Sequence, residues 1–132
     1  MTGDSPEVHL FVYGTLRSGG EAAGLLRGCR LAGAGVVAGT LYDLGAYPAL
    51  VLDGRGPVVG EVWHCPADAL ARLDEYEGVS GGLYLRVPVV VRGTECWTYV
   101  AGPLLEPRLA PERCIPSGRW PQGAGERGRR GM

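Results

Sequence analysis

Residues 66–78 read PADALARLDEYEG, and this stretch is the clearest regular element in the chain. Pro66 suits the first turn of a helix, where its missing N–H removes no hydrogen bond, and Asp68 suits the positive end of the helix dipole. Gly78 is the residue type that most often follows the last turn. The stretch therefore predicts a helix from Pro66 to Glu77, and the fold class depends on what surrounds it.

Upstream of this helix the chain consists of short segments with strand character. Residues 8–13 (VHLFVY) and 36–43 (VVAGTLYD) are rich in β-branched and aromatic side chains and predict two strands. Residues 51–64 contain two apolar runs separated by the turn-forming residues 53–57 (DGRGP), which predicts a hairpin. Residues 21–27 (EAAGLLR) predict one short helix.

Downstream, residues 83–100 predict a second hairpin around residues 92–94 (RGT). The whole chain then has about six short strands and two helices, which is typical of an α+β domain with a mixed or mostly antiparallel sheet. With no internal linker, we expect a single domain over residues 8–120. Residues 121–132 are rich in Gly and Arg and predict a disordered tail.

The composition excludes several classes of function. The chain has 132 residues, is 45% hydrophobic and 20% charged, and carries a net charge of -1. This balance is globular and argues against nucleic acid as a partner, because phosphate binding needs an excess of basic residues. All 13 basic residues are Arg. Without Lys, the chain has no Walker A motif, pyridoxal Schiff base or lysine nucleophile.

The four cysteines indicate reduced thiols and a cytoplasmic protein, because they are widely spaced and form no C-x-x-C pair. Residues 1–7 (MTGDSPE) are polar and acidic, unlike a secretory signal. The longest apolar runs fall well short of the ~20 residues that a membrane helix needs. We therefore expect no membrane partner.

Two apparent catalytic motifs fail on their context. Residues 78–82 (GVSGG) match G-x-S-x-G, but a nucleophile elbow needs a strand before the Ser and a helix after it, and here the order is reversed. Both histidines, His9 and His64, also precede this motif, which is better explained as a glycine loop. His64 and Cys65 point to opposite faces of a strand, so the sequence predicts no metal site.

Glu77 is the residue that does not fit its place in the predicted helix. At about 100° per residue, it lies between Leu70 and Leu73 on the apolar face, whereas Glu75 lies on the opposite, solvated face. A carboxylate among apolar side chains is costly unless it is hydrogen-bonded or protonated. Partial burial, the negative end of the helix dipole and the nearby Asp74 should all raise its pKa.

Two interpretations of Glu77 follow. A carboxylate with a raised pKa can act as a general acid and base near neutral pH. Alternatively, Glu77 is structural and accepts hydrogen bonds from the backbone or from an arginine such as Arg86. The two interpretations differ in whether its carboxylate has a donor.

Residues 13–17 (YGTLR) form a second candidate site, where a strand ends in Tyr13 and turns at Gly14. Such a loop can direct several backbone N–H groups at an anion, and Gly allows close approach. An ordinary turn is the alternative. The stretch alone does not distinguish the two.

Six segments in order resemble the γ-glutamylcyclotransferase-like (AIG2-like) family, and within it the γ-glutamylamine cyclotransferases. Each matches a family motif: 13–17 (YGTLR), 39–50 (GTLYDLGAYPAL), 59–63 (VGEVW), 73–78 (LDEYEG), 84–86 (YLR) and 115–120 (IPSGRW). The first motif alone is unspecific. Six in the family's order, covering most of residues 8–120, are specific.

This resemblance implies a small mixed β-barrel with flanking short helices and a cofactor-independent γ-glutamyl cyclotransferase. The substrate would be a small γ-glutamyl compound that cyclises to 5-oxoproline and releases an amine, with Glu77 as general acid and base and without a metal. The substrate-binding residues that it implies are Tyr13, Gly14, Thr15, Leu16, Tyr47, Pro48 and Tyr84. The identity of the amine and the oligomeric state stay open. The alternative is a non-enzymatic module that binds a small molecule in the same pocket.

Overall fold

The computed structural model describes residues 6–14 and 23–120. The regular elements, in chain order, are β1 (Glu7–Val12), β2 (Arg30–Asp43), β3 (Pro48–Pro66), α1 (Ala69–Glu77), β4 (Tyr84–Val91) and β5 (Thr94–Ala101). Four single turns of 3-10 helix, at Ala23–Leu26, Val79–Gly81, Glu106–Arg108 and Pro111–Arg113, complete them.

The five strands form one mixed sheet in the order β2-β3-β1-β5-β4. β1 lies in the centre, antiparallel to β3 and parallel to β5, while β2 and β4 are the edges. The expected α+β fold with a mixed sheet is therefore confirmed.

The sheet curls but does not close into a barrel. The two edges approach each other closely enough for Arg92, after β4, to donate a hydrogen bond to the carbonyl of Ala34 in β2 at 3.1 Å. Across the described strands, however, β2 and β4 share no ladder. The right-handed twist of adjacent strands explains the curl.

The hairpin predicted within residues 51–64 is wrong, because both of its arms belong to the single strand β3 and pair with β2. Gly39 is opposite Gly56, and the next residue, Thr40, is opposite Val51. Residues 52–55 therefore protrude from the strand as an enlarged bulge. The Thr40 hydroxyl donates to the Asp53 carboxylate at 2.9 Å, which holds the base of the protrusion.

The helix α1 is confirmed, although it begins at Ala69 because Pro66 still pairs with Glu7 in the sheet. Gly78 ends it in the left-handed conformation with φ 68° and donates to the carbonyls of Asp74 and Glu75. The hairpin of β4 and β5 is also confirmed. The helix predicted at 21–27 is a single 3-10 turn from Ala23, and its first two residues lie outside the described residues, as does the tail 121–132.

Two clusters of buried side chains lie on the two faces of β1. Leu10 and Val12 pack toward α1, where Leu73 is fully buried, whereas Phe11 packs toward the inside of the curl against Val58. This alternation follows from the period of two in a strand. The C-terminal end of β1 therefore lies between the helix and the curled sheet.

Candidate active site

A pocket of about 220 Å³ lies between the end of β1 and the end of α1. Its walls are mainly aromatic and apolar, with one ionisable carboxylate. The lining residues are Phe11, Val12, Tyr13, Gly14, Tyr47, Pro48, Tyr76, Glu77, Leu83, Tyr84 and Tyr99. A concave, largely apolar pocket with few polar groups is the usual form of a small-molecule site.

Glu77 is the last residue of α1, and its half-buried side chain faces this pocket. None of the described residues donates a hydrogen bond to its carboxylate. Burial, and secondarily the negative charge of Asp74, raise the pKa of Glu77 to about 8. The group therefore titrates in the range in which a general acid and base exchanges protons efficiently.

Arg86 pairs with Asp74 and not with Glu77, so the structural interpretation that assigned Arg86 to Glu77 is wrong. Arg86 Nε donates to Asp74 Oδ1 at 2.8 Å and Nη2 to Oδ2 at 3.0 Å. The Tyr99 hydroxyl donates to the same Oδ1 at 2.7 Å. The guanidinium also lies 4.6 Å from the centre of the Trp97 ring.

This arrangement keeps a fixed negative charge one helical turn from Glu77. Burial alone would raise the pKa of Asp74, but the donors Arg86 and Tyr99 outweigh it, and the pKa lies below its usual value. Two carboxylates on one helix therefore differ in charge, because only one of them has donors.

Two tyrosine hydroxyls in the pocket wall are already bonded to the backbone. Tyr13 donates to the carbonyl of Tyr99 at 2.6 Å, and Tyr84 donates to the carbonyl of Pro48 at 2.5 Å. Burial raises the pKa of both groups well above the ordinary value, so both stay protonated. Tyr13 and Tyr84 therefore shape the pocket and do not exchange protons in it. Tyr47 packs edge-on against Tyr84 at 6.2 Å between ring centres.

Gly14 and Pro48 form the narrowest part of the wall. A Cβ at Gly14 would lie 2.7 Å from Cγ of Pro48, which is too close for any other residue type without movement. The structure thus gives the glycine of the YGTL motif a packing role. Thr15 and Leu16, the rest of the predicted anion-binding loop, lie outside the described residues.

The pocket brings together six of the residues expected from the sequence: Tyr13, Gly14, Tyr47, Pro48, Glu77 and Tyr84. Sequence reasoning missed Leu83 and Tyr99, whose strand-like surroundings give no sign that they reach α1. Tyr76, another residue that sequence reasoning did not assign to the site, is 47% exposed and lies at the rim of the pocket. The sequence signal for this position is that Tyr76 directly precedes Glu77 in the last turn of α1.

Across residues 6–14 and 23–120, no group of three or more His, Cys, Asp or Glu side chains is arranged to hold a metal ion. His9 and His64 stack edge-to-face with 4.3 Å between ring centres. The four cysteines carry free thiols. None of the helices in the described part of the chain is long and apolar enough to cross a membrane.

Comparison with known proteins agrees with the fold. The sequence profile of the family described as "Gamma-glutamyl cyclotransferase, AIG2-like" matches residues 10–122. The chain therefore belongs to the γ-glutamyl cyclotransferase, AIG2-like family.

Two curated relatives carry related names. A Vibrio cholerae protein, provisionally named a gamma-glutamylcyclotransferase, is 39% identical over 93 residues, covering 69% of this chain and 79% of the relative. The "Gamma-L-glutamyl-butirosin B gamma-glutamyl cyclotransferase" of Niallia circulans is 36% identical over 103 residues. This match covers 70% of the chain and 65% of that relative. These names support γ-glutamyl cyclotransferase activity in general.

One solved structure illustrates the shared fold. The Escherichia coli protein ytfP is 32% identical with a TM-score of 0.65, over 86% of this chain and 96% of that protein.

Proposed function

We propose that this chain is an enzyme that converts a γ-glutamyl compound into 5-oxoproline and a free amine. The observation that carries the proposal is Glu77, a half-buried carboxylate in the pocket with a pKa of about 8 and no donor among the described residues. Burying a carboxylate without a donor costs free energy, and carboxylates with a strongly raised pKa in a cleft are typical of catalytic sites. This favours catalysis over passive binding.

The reaction needs only one acid–base group. The substrate's α-amino nitrogen attacks its own side-chain carbonyl carbon, forming the C–N bond of a five-membered lactam. The bond from that carbon to the leaving amine then breaks. The attacking ammonium loses two protons as it becomes the lactam N–H, and the leaving nitrogen gains two as it departs as an ammonium. Glu77 relays these protons one at a time, so that protons and charge balance without a co-reactant.

The pocket walls supply orientation and exclude water. The aromatic side chains of Tyr13, Tyr47 and Tyr84 surround a small volume in which a folded glutamyl chain would be held close to its cyclised shape. The backbone N–H groups of Gly14, Thr15 and Leu16 would hold the substrate's α-carboxylate or the developing oxyanion. Because nucleophile and electrophile belong to one molecule, holding this conformer accounts for much of the rate.

The test is release of 5-oxoproline from a panel of γ-glutamyl amines and γ-glutamyl amino acids. Wild type should turn over at least one of them, and Glu77→Gln should lose activity by about 10²- to 10⁴-fold, because the proton has no other acceptor among the described pocket residues. Glu75→Gln, exposed on the opposite face of the same helix, is the matched control and should keep full activity. Ligand-induced thermal shifts without turnover would instead favour a binding module.

A further inference from the structure

Arg108 is an exposed arginine attached to the rim of the pocket. It ends the turn Glu106–Arg108, and its Nη2 donates to the carbonyl of Leu44 at 3.1 Å. Its Nη1 donates to the hydroxyl of Tyr47 at 3.4 Å. Tyr47 lines the pocket, and the hydrogen bond between its hydroxyl and Arg108 is exposed to solvent.

Among the described arginines, Arg108 alone hydrogen-bonds to a side chain of the pocket wall, and no described carboxylate pairs with it. Arg86, the arginine nearest Glu77 along the network, is already occupied by Asp74. A guanidinium has five N–H donors, and two are used here, so three remain for a ligand. An arginine with unused N–H donors can bind a carboxylate through charge-assisted hydrogen bonds.

The proposed reaction fixes which half of the substrate reaches Arg108. Both the attacking nitrogen and the scissile carbonyl must lie near Glu77, so the glutamyl half fills the pocket of about 220 Å³. The leaving half then projects toward the rim. Glu77 lines this pocket, and the guanidinium of Arg108 is hydrogen-bonded to Tyr47 in its wall.

We propose that Arg108 is a specificity-determining residue that binds an anionic group, such as a carboxylate, on the leaving amine. This inference rests on the proposed function. It implies that γ-glutamyl compounds with a carboxylate next to the released nitrogen are better substrates than those whose amine half is uncharged or cationic.

Two substrates that differ only in this carboxylate test the inference: γ-glutamyl-L-alanine and γ-glutamyl-ethylamine. Wild type should prefer the first in kcat/KM. Arg108→Met should lower kcat/KM for γ-glutamyl-L-alanine by about 5- to 50-fold, the range for a charged hydrogen bond at a partly exposed site. It should change γ-glutamyl-ethylamine by less than about 2-fold. Added salt should weaken only the first reaction of wild type.

Arg113→Met is the matched control. Arg113 is also exposed and donates to the carbonyl of Asp43 at 3.2 Å, but it makes no hydrogen bond to a described side chain of the pocket wall. Arg113→Met should leave the ratio of kcat/KM between the two substrates unchanged. Thermal unfolding of both variants would reveal a general loss of stability, which should also leave this ratio unchanged.

Equal losses on both substrates in Arg108→Met would overturn the inference, because Arg108 would then act on the glutamyl half or only hold the loop. No loss on either substrate would overturn it as well. If wild type turned over neither substrate nor any other γ-glutamyl compound, the proposed function itself would fail and take this inference with it.

Discussion

Glu75 and Glu77 are the same residue type two positions apart, yet only Glu77 has an environment suited to chemistry. The helix turns them to opposite faces, so Glu75 is solvated and Glu77 faces the pocket. The raised pKa of Glu77 arises from burial and from Asp74, and not from any feature of the glutamate itself.

The stability of wild type should fall as the pH rises, because of Glu77. Its pKa is raised from 4.5 in the unfolded chain to about 8 in the folded protein. Its favourable contribution is therefore complete below pH 4.5 and is lost as the pH rises through 8. At 1.36 kcal/mol per pKa unit, the loss reaches up to about 5 kcal/mol.

Urea unfolding of wild type and Glu77→Gln at pH 5 and pH 9 measures this effect. The variant should gain stability relative to wild type as the pH increases, whereas Glu75→Gln should follow wild type. A loss of stability in Glu77→Gln that is the same at both pH values would show a structural role.

Asp74 and Arg86 should shift the pH dependence of activity in opposite directions. Asp74→Asn removes the negative charge near Glu77 and should move the rising limb of kcat/KM to lower pH, by about 0.5 to 1 unit. Arg86→Met leaves that charge unneutralised and should move the limb to higher pH. The amino group of the free substrate titrates identically in assays of all three proteins, so differences between their pH profiles arise from the enzyme. Identical profiles would contradict the assignment of the limb to Glu77.

At this scale the sequence could identify the unusual carboxylate and its neighbour Asp74 on the same helix, but not the residues of other strands that pair with Asp74. A helical wheel needs only the local period, and it separates Glu77 from Glu75. Arg86 was considered as its partner, yet it lies on another strand, and the pairing with Asp74 depends on how β4 crosses α1. That crossing is a tertiary feature without a local signal.

At the scale of elements, the end of α1 is what directs Glu77 at the pocket. Gly78 has φ 68°, and a Cβ there would lie 3.1 Å from Cβ of Leu83. Gly78→Ala should therefore cost about 1–2 kcal/mol in free energy of unfolding and lower kcat, since the last turn must shift. Gly81→Ala is the control: Gly81 lies three residues on, with open space around it. Thermal unfolding and 5-oxoproline release would check both, and equal behaviour of the two variants would contradict the role given to Gly78.

The sequence predicts the elements that have a strong local signal. It does not predict the course of residues 51–64 in β3, which depends on strand pairing. The hairpin of β4 and β5 turns at Arg92 and Gly93, which both have positive φ, and its arms are neighbours along the chain. Residues 53–57 have the same turn-forming composition. There the strand leaves its partner β2 for four residues and then returns to it. Composition shows where a chain can bend, but not which strand it pairs with afterwards.

At the scale of the whole molecule, the pocket depends on the curl of the sheet. Its walls come from β1, the start of β3, α1, β4 and β5, and the hydrogen bond from Tyr84 to Pro48 joins segments 36 residues apart. Periodicity predicts each strand separately but not how the strands assemble around the pocket. The resemblance to the family, in contrast, implies which residues meet in the pocket, including Tyr47 and Pro48.

Gly60 tests how tightly the curl holds the end of β1. A Cβ at Gly60 would overlap the carbonyl oxygen of Val12 and lie 2.8 Å from the Phe11 ring, so β1 and β3 pack here backbone against backbone. Gly60→Ala should force β1 away from β3 and lower the free energy of unfolding by about 1–3 kcal/mol. Because Val12 leads directly into Tyr13 and Gly14, the pocket should widen and KM should rise together with this loss.

Gly56→Ala in the same strand is the matched control, since the nearest atom to a Cβ there is 3.8 Å away. Urea unfolding and KM for the best γ-glutamyl substrate would be measured for both variants. Gly60→Ala with lower stability but an unchanged KM would show that β1 adjusts without moving the pocket. The curl would then stabilise the fold without positioning the site.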